Sequence, residues 1–125
     1  MVRLQFISSR VLDLENCEVT QQRGFSLGRQ YIRSTCNLVV AYDGPEIVGC
    51  FRAWTCPNET LQAGGTWVAR THRSKGLALR MWRRMLKETQ PVAVTVSTIS
   101  RGGARLVAAL KRKFPRIEWE HEVVK

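Results

Sequence analysis

From Leu77 to Glu88, the apolar residues Ala78, Met81, Trp82, Met85 and Leu86 recur at helical spacing, while Arg80, Arg83, Arg84 and Lys87 fill the opposite side. This pattern predicts a helix with one buried stripe, and Pro91 stands just beyond it, where a helix can no longer continue. The run VAVTVSTIS, residues 92–100, is apolar and β-branched and reads as a strand buried on both faces. A second helix is expected from Gly102 to Lys113, with Leu106, Val107, Leu110 and Phe114 pointing inward. After it, Ile117, Trp119, His121 and Val123 alternate with Glu118, Glu120 and Glu122, the signature of a strand with one solvated face.

Upstream, two β-rich runs, Asn37 to Tyr42 and Glu46 to Thr55, flank Asp43-Gly44-Pro45, which is hairpin turn chemistry. PNETLQAGG, residues 57–65, reads as a second turn region, and Thr66 to Arg70 as the strand after it. Val2 to Ser8 reads as a short strand. The stretch from Val11 to Thr35 is weakly patterned, with a helix expected around Ser26 to Ile32. The order is strand, helix, hairpin, strand, helix, strand, helix, strand. It predicts one α/β domain over residues 1–125, with a central mixed sheet and helices on both faces. A chain of 125 residues is long enough for one such core and short for two.

Composition narrows the function classes. An apolar share of 44 % and a charged share of 24 % are ordinary for a globular domain. No apolar run approaches the roughly 20 residues that cross a bilayer, and Met1 to Ile7 has no signal-peptide core, so a cytosolic protein is expected. Cys17, Cys36, Cys50 and Cys56 are irregularly spaced, and neither His72 nor His121 completes a zinc set with them. No metal is expected, and the cysteines read as reduced packing residues; monomer and dimer both stay open. The net charge of +10 is unevenly spread. Residues 70–116 carry thirteen Lys or Arg and a single acid, Glu88, whereas the first 69 residues hold six of each sign. Such a one-sided field attracts a nucleic acid, a phosphorylated cofactor or an acidic protein surface, although a merely solvated face would look the same.

Between the strand ending near Arg70 and the helix beginning near Leu77 lies Arg73-Ser74-Lys75-Gly76-Leu77-Ala78. A helix N-terminus presents unpaired N–H groups and the positive end of its dipole, so it binds phosphate without a special side chain. Gly76 allows close backbone approach, Ala78 leaves the approach clear, and Arg73 and Lys75 add charge. The stretch lacks the Gly-Lys-Ser/Thr ending of a P-loop and the three glycines of a dinucleotide fingerprint. It resembles the signature of the GCN5-related N-acetyltransferases (GNAT), Arg/Gln-x-x-Gly-x-Gly/Ala, here as Arg73-x-x-Gly76-x-Ala78 with TWVAR before it and LRMWRRMLKE after it. The Asp43-Gly44 hairpin with EIVGCFRA is similar to the family's second and third strands. VAVTVSTIS is similar to its fifth strand, and GGARLVAALKRKFP to the following helix. The resemblance spans roughly Val39 to Trp119.

The resemblance implies direct acyl transfer from acetyl-CoA, or another acyl-CoA, to an amine. Backbone groups of Val68, Ala69 and Arg70 would meet the pantetheine arm. The amides around Ser74, Lys75, Gly76, Leu77 and Ala78, helped by Arg73, would hold the pyrophosphate, and the strands bearing Val68 and Val94 would part around the thioester. Three departures follow. The family's helix tyrosine falls on Ala108, its asparagine near Arg101, and its strand glutamate on Gln62. A water chain through Gln62 or Thr66 could then remove the amine proton, with Glu59 the nearest carboxylate, and Ser97, Ser100 or Tyr31 could stand in as acid. Trp54, Trp67, Arg52 and Arg101 are the candidate substrate contacts. The surplus charge suggests an acceptor amine on a polyanionic macromolecule, nucleic acid or acidic protein, and would repel small polyamines. Two other readings remain at this level. One is a non-enzymatic nucleic-acid-binding module, with Arg80, Arg83, Arg84 and Lys87 on phosphates and Trp54 or Trp67 stacking on bases. The other is a catalytically silent member that uses CNLVVAY and the last strand for dimer contacts.

Overall fold

The structure, a computed structural model, describes residues 1–10, 35–98 and 100–124. The helix expected around Ser26 to Ile32, together with Tyr31 and Cys17, lies outside the described residues. The described elements are strands β1 (Val2–Arg10), β2 (Thr35–Asp43), β3 (Glu46–Cys56) and β4 (Thr60–Val68), helix α1 (Leu77–Thr89), strand β5 (Ala93–Thr98), helix α2 (Arg101–Lys113) and strand β6 (Glu118–Val123). They form one six-stranded sheet in the order β1-β2-β3-β4-β5-β6. The first four strands pair antiparallel, and β4–β5 and β5–β6 pair parallel, so the sheet is mixed as expected.

α1 and α2 pack on the same face of this sheet. Leu77, Met81, Trp82, Met85 and Leu86 of α1 meet Val107 and Leu110 of α2 over Val39, Phe51, Leu61, Val94 and Val96. The predicted stripe is therefore real, except that Leu77 is buried where Ala78 was expected and Ala78 is half-buried. Trp82 is at its centre, 2 % exposed, with its ring stacked on Phe51 at 4.3 Å and tilted against Trp119 at 6.1 Å. The Trp119 indole N–H donates to the Phe114 carbonyl (3.2 Å), which fastens the end of α2 to β6. The second face carries its own apolar cluster of Cys36, Leu38, Val40, Ile47, Cys50 and Trp54. Asn37 is buried between the strands with its polar groups satisfied. Its Oδ1 accepts from Ser8 (2.7 Å), and its Nδ2 donates to Thr55 Oγ1 (2.9 Å) and to the Ala53 carbonyl (3.2 Å).

Three sequence expectations are corrected. PNETLQAGG is not a turn region: a short 3-10 turn over Pro57–Glu59 leads straight into β4, and the two glycines lie within that strand. Glycine pairs punctuate turns, but inside a strand they also permit a bulge, and here the bulge prevails. VAVTVSTIS is not buried on both faces. Val94, Val96 and Thr98 point into the helix-side core, while Ser97 is exposed on the other side. CNLVVAY is no dimer surface. Residues 36–41 are each at most 2 % exposed, in a strand whose two edges are paired to β1 and β3.

Trp82→Ala removes the side chain on which α1, β3 and β6 converge. We expect a loss of about 3–5 kcal/mol of folding stability by chemical denaturation, the range for emptying a buried aromatic site.

Candidate active site

β4 and β5 pair over only three positions, Thr60 with Ala93, Leu61 with Val94 and Gln62 with Thr95, and then part. The cause lies in β4. Between the pairs Ala53–Ala63 and Phe51–Thr66 the register with β3 shifts by one, so Gly64 and Gly65 together oppose Arg52. A bulge of this kind bends its strand and sharpens the local twist. Because β3 holds β4 on its other edge, the bend opens the β5 side. Arg52 lies across the bulge. A Cβ on Gly64 would come within 2.6 Å of Arg52 Cγ and 2.9 Å of the Trp54 ring, whereas one on Gly65 would meet nothing closer than 3.4 Å.

Both strands are parallel and each is followed by a helix, so the N-termini of α1 and α2 come to the same end of the sheet, where it opens. Together they line a cleft of about 550 Å³ with Thr66, Trp67, Val68, His72, Arg73, Ser74, Gly76, Ala78, Ser100, Gly102 and Gly103. The two N-termini differ. Ser100 caps α2, its Oγ accepting from the Gly103 N–H at 3.0 Å. Gly76 precedes α1 in the left-handed region, φ +77°, with no side-chain cap, which leaves the first-turn N–H groups for a ligand. Ser74 is also left-handed, φ +62°. Alternation of this sort turns successive N–H groups toward one point, an anion-binding concavity. A Cβ on Gly76 or Gly102 would meet nothing within 4 Å, so the space over both is open. Cleft, uncapped helix end and small lining residues together fit a phosphate-bearing, elongated ligand.

Of the residues expected to hold a cofactor, Val68, Arg73, Ser74, Gly76, Leu77 and Ala78 line this cleft; Ala69, Arg70 and Lys75 do not. The Ala69 N–H, expected to meet the pantetheine arm, instead donates to the Val48 carbonyl at 2.7 Å, extending the ladder to β3. Arg73 Nε turns back to the Val68 carbonyl at 2.9 Å, bracing its own loop. His72 Nε2 meets Asp43 Oδ2 at 2.8 Å, and its Nδ1 lies 2.8 Å from Thr71 Oγ1. That contact, aided by the N-terminal ammonium, holds the Asp43 carboxyl below its usual range. What the ionised Asp43 carboxylate contributes to the loop through this contact is therefore present above its ordinary titration range and lost as pH falls through the lowered Asp43 value.

The expected catalytic residues scatter. Thr66 and Ser100 reach the cleft, Ser100 as a helix cap. Gln62 sits where the strands part, and Ser97 is exposed on β5 just past that point. Glu59 stands at the other end of β4, its carbonyl accepting from the Val92 N–H, roughly 20–30 Å of strand away from the cleft. Of the expected substrate contacts, Trp67 lines the cleft, Arg52 lies on the bulge with its guanidinium 5.9 Å from the Trp54 ring, and Arg101 is exposed at the start of α2. Trp54 is only 5 % exposed within the second-face cluster, so it offers no face for a base to stack on. One carboxylate was missed. Trp54, Gln62, Thr95 and Glu120 are successive register partners across four strands, on the face opposite the helices. Glu120 is exposed there, about two strand spacings, or ~10 Å, from Gln62. The alternation of β6 announced a polar face; only the register gave it neighbours.

A bulged, parting sheet with helix N-termini at the opening defines an α/β protein built to hold an extended anionic ligand between two strands. The comparisons take this further. The model of the acetyltransferase (GNAT) family matches residues 9–97, more than half of the chain, and the chain belongs to that family of acetyl-CoA-dependent N-acetyltransferases. No curated protein matches it in sequence. Among solved structures it is similar to a GNAT family acetyltransferase from Streptococcus pneumoniae, at 14 % identity over 88 % of this chain and 86 % of that one, TM-score 0.63. It is similar also to the diaminobutyrate acetyltransferase of Paenibacillus lautus, solved with L-2,4-diaminobutyric acid and coenzyme A, at 22 % identity, 92 % and 78 % coverage, TM-score 0.58. A third is a GNAT family acetyltransferase from Elizabethkingia anophelis with acetyl-CoA bound, at 17 % identity, 87 % and 74 % coverage, TM-score 0.55. At these identities the likeness is one of fold.

Gly64→Ala, which drives a methyl into Arg52 and Trp54, should cost about 1–3 kcal/mol of stability. Gly65→Ala, one residue along the same bulge, should be nearly neutral. Equal denaturation midpoints for the two variants would contradict this account of the bulge.

Proposed function

We propose that the cleft between β4, α1 and α2 is the acetyl-CoA site of an N-acetyltransferase, with the acceptor amine entering from the opposite face of the sheet where β4 and β5 part. The observation that carries this reading is that parting, with an uncapped helix N-terminus at its mouth. The N–H groups of Leu77, Ala78 and Leu79, with those around Ser74 and Gly76, bind the pyrophosphate. Val68 and Trp67 line the path of the arm. Bound acetyl-CoA supplies the acyl group and the thiolate that leaves with CoA. Beyond Gln62, β4 has no β5 partner, so its N–H groups on that edge are fixed donors of the kind that stabilise charge on a carbonyl oxygen. Glu120 accepts the amine proton, directly or through one water; its support is the register beside Thr95 and Gln62.

The acceptor belongs to a polyanionic macromolecule. Support comes from the net charge of +10 and from the exposed cations of the two helices. Arg80, Arg83 and Lys87 on α1, and Arg101, Arg105, Lys111, Arg112 and Lys113 on α2, all face solvent. Among the described residues, Arg84 is the one cation of α1 with a carboxylate partner, Glu88, at 2.9 Å. Arg80, Arg83, Arg84 and Lys87 also rim a groove of about 660 Å³ floored by Leu4, Leu86, Phe114 and Ile117, away from the cleft. Long-range attraction to these cations raises the encounter rate of such an acceptor.

Calorimetric titration of the nucleic-acid-free protein with acetyl-CoA tests the cofactor site. Micromolar binding is expected, abolished by Gly76→Glu, which sets a carboxylate where the phosphates belong. An absence of heat, with no rise in melting temperature at excess ligand, would leave only a basic binding module. With an acceptor found by screening nucleic acids first, Glu120→Gln should lower kcat about a hundredfold. The same change should leave acetyl-CoA affinity unaltered, and Glu59→Gln should change neither. Full turnover in Glu120→Gln would remove Glu120 from the mechanism.

A further inference from the structure

Among the described residues, the phosphate-binding loop, residues 69–76, is tied to the sheet at three points. The Ala69 N–H is tied to Val48, and Arg73 Nε to Val68, so both of these ties stay within β3, β4 and the loop itself. The third reaches elsewhere: His72, at the end of the 3-10 turn Arg70–His72, contacts Asp43, the last residue of β2, at 2.8 Å. Asp43 opens the hairpin turn in which Gly44 takes φ +59°. His72 is thus clamped between the hairpin carboxylate on one ring nitrogen and Thr71 Oγ1 on the other, while it lines the cleft.

Two features separate this contact from ordinary surface pairing. Of the three ties it alone joins the loop to β2, two residues before the left-handed Ser74 and four before the left-handed Gly76, which orient the N–H groups of the loop. It also joins a carboxylate to a loop otherwise carrying Arg70, Arg73 and Lys75, where cations would push the loop apart when no phosphate is present. A pair this exposed does little for global stability. Its effect falls on the loop.

We propose that Asp43 and His72 are positioning residues that hold the phosphate loop in its binding conformation, and so set the affinity for the phosphorylated end of the cofactor. The proposal rests on the cofactor site argued above. Neither residue need touch the ligand. Preorganisation lowers the ordering cost that binding would otherwise meet. The two side chains act as one unit, so removing either should equal removing both.

The test compares coenzyme A with pantetheine, which lacks the phosphates, by calorimetry on the whole protein. Asp43→Ala, His72→Ala and the double variant should each bind coenzyme A about five- to tenfold more weakly, the size of one lost positioning contact. Their pantetheine affinity and melting temperatures should match the wild type. His72→Gln, whose amide can still donate to Asp43, should restore most of the affinity. Coenzyme A affinity unchanged in the single variants, or weakened equally with that for pantetheine, would overturn the positioning role while leaving the cofactor site intact. If the wild type itself fails to bind coenzyme A, the cofactor site falls and this inference with it.

Discussion

Three residue pairs hold β4 to β5, and the cleft at the end of the sheet depends on there being no more. A continuous parallel ladder would seal the sheet. Here the Gly64–Gly65 bulge bends β4 while β3 keeps its other edge paired, so the strain is released toward β5. The sheet stays one structure at the Thr60–Ala93 end and becomes two at the other. Backbone donors, normally consumed by a ladder, are left at the opening, and a backbone donor left in place before a reaction begins is an effective form of electrostatic catalysis.

The helices inherit their orientation from those same two strands. A parallel pair joined by a crossover helix must start each following helix at the same end of the sheet, so two N-termini converge on one mouth. One is closed by the Ser100 cap and the other is left open at Gly76. The apolar stripes of α1 and α2 are consumed by the core around Trp82, which turns their cations outward. Two separate uses of positive charge result. Backbone dipoles act in the cleft over short range, whereas the outer arginines and lysines act over a Debye length on whatever approaches. The basic helix and the open N-terminus at the cleft are one element read from two sides.

Much of the fold was legible because periodicity records burial. The stripe of α1, the inward residues of α2 and the alternation of β6 each matched an element of the structure within a residue or two, since one face of each packs against the core and the other meets water. The motif Arg73-x-x-Gly76-x-Ala78 was legible for a related reason: backbone approach and a left-handed residue demand particular small side chains at fixed spacing. The errors were equally physical. Gly64–Gly65 reads locally as a turn, because nothing in the pair says whether its neighbours will be paired. VAVTVSTIS reads as buried on both faces, because its sequence does not show that one side opens.

By itself, then, the sequence determined the α/β class, the helix faces, the glycine turn that opens α1 and the uneven charge, all properties that local spacing and composition encode. Only the tertiary structure decided that Glu59 lies at the end of β4 away from the cleft, that Trp54 is covered, and that Glu120 stands in one row with Gln62 and Thr95. It alone joined Asp43 to His72 across 29 positions of chain. Strand register and hairpin placement bring such residues together, and both follow from how the whole sheet pairs rather than from any stretch of residues within it.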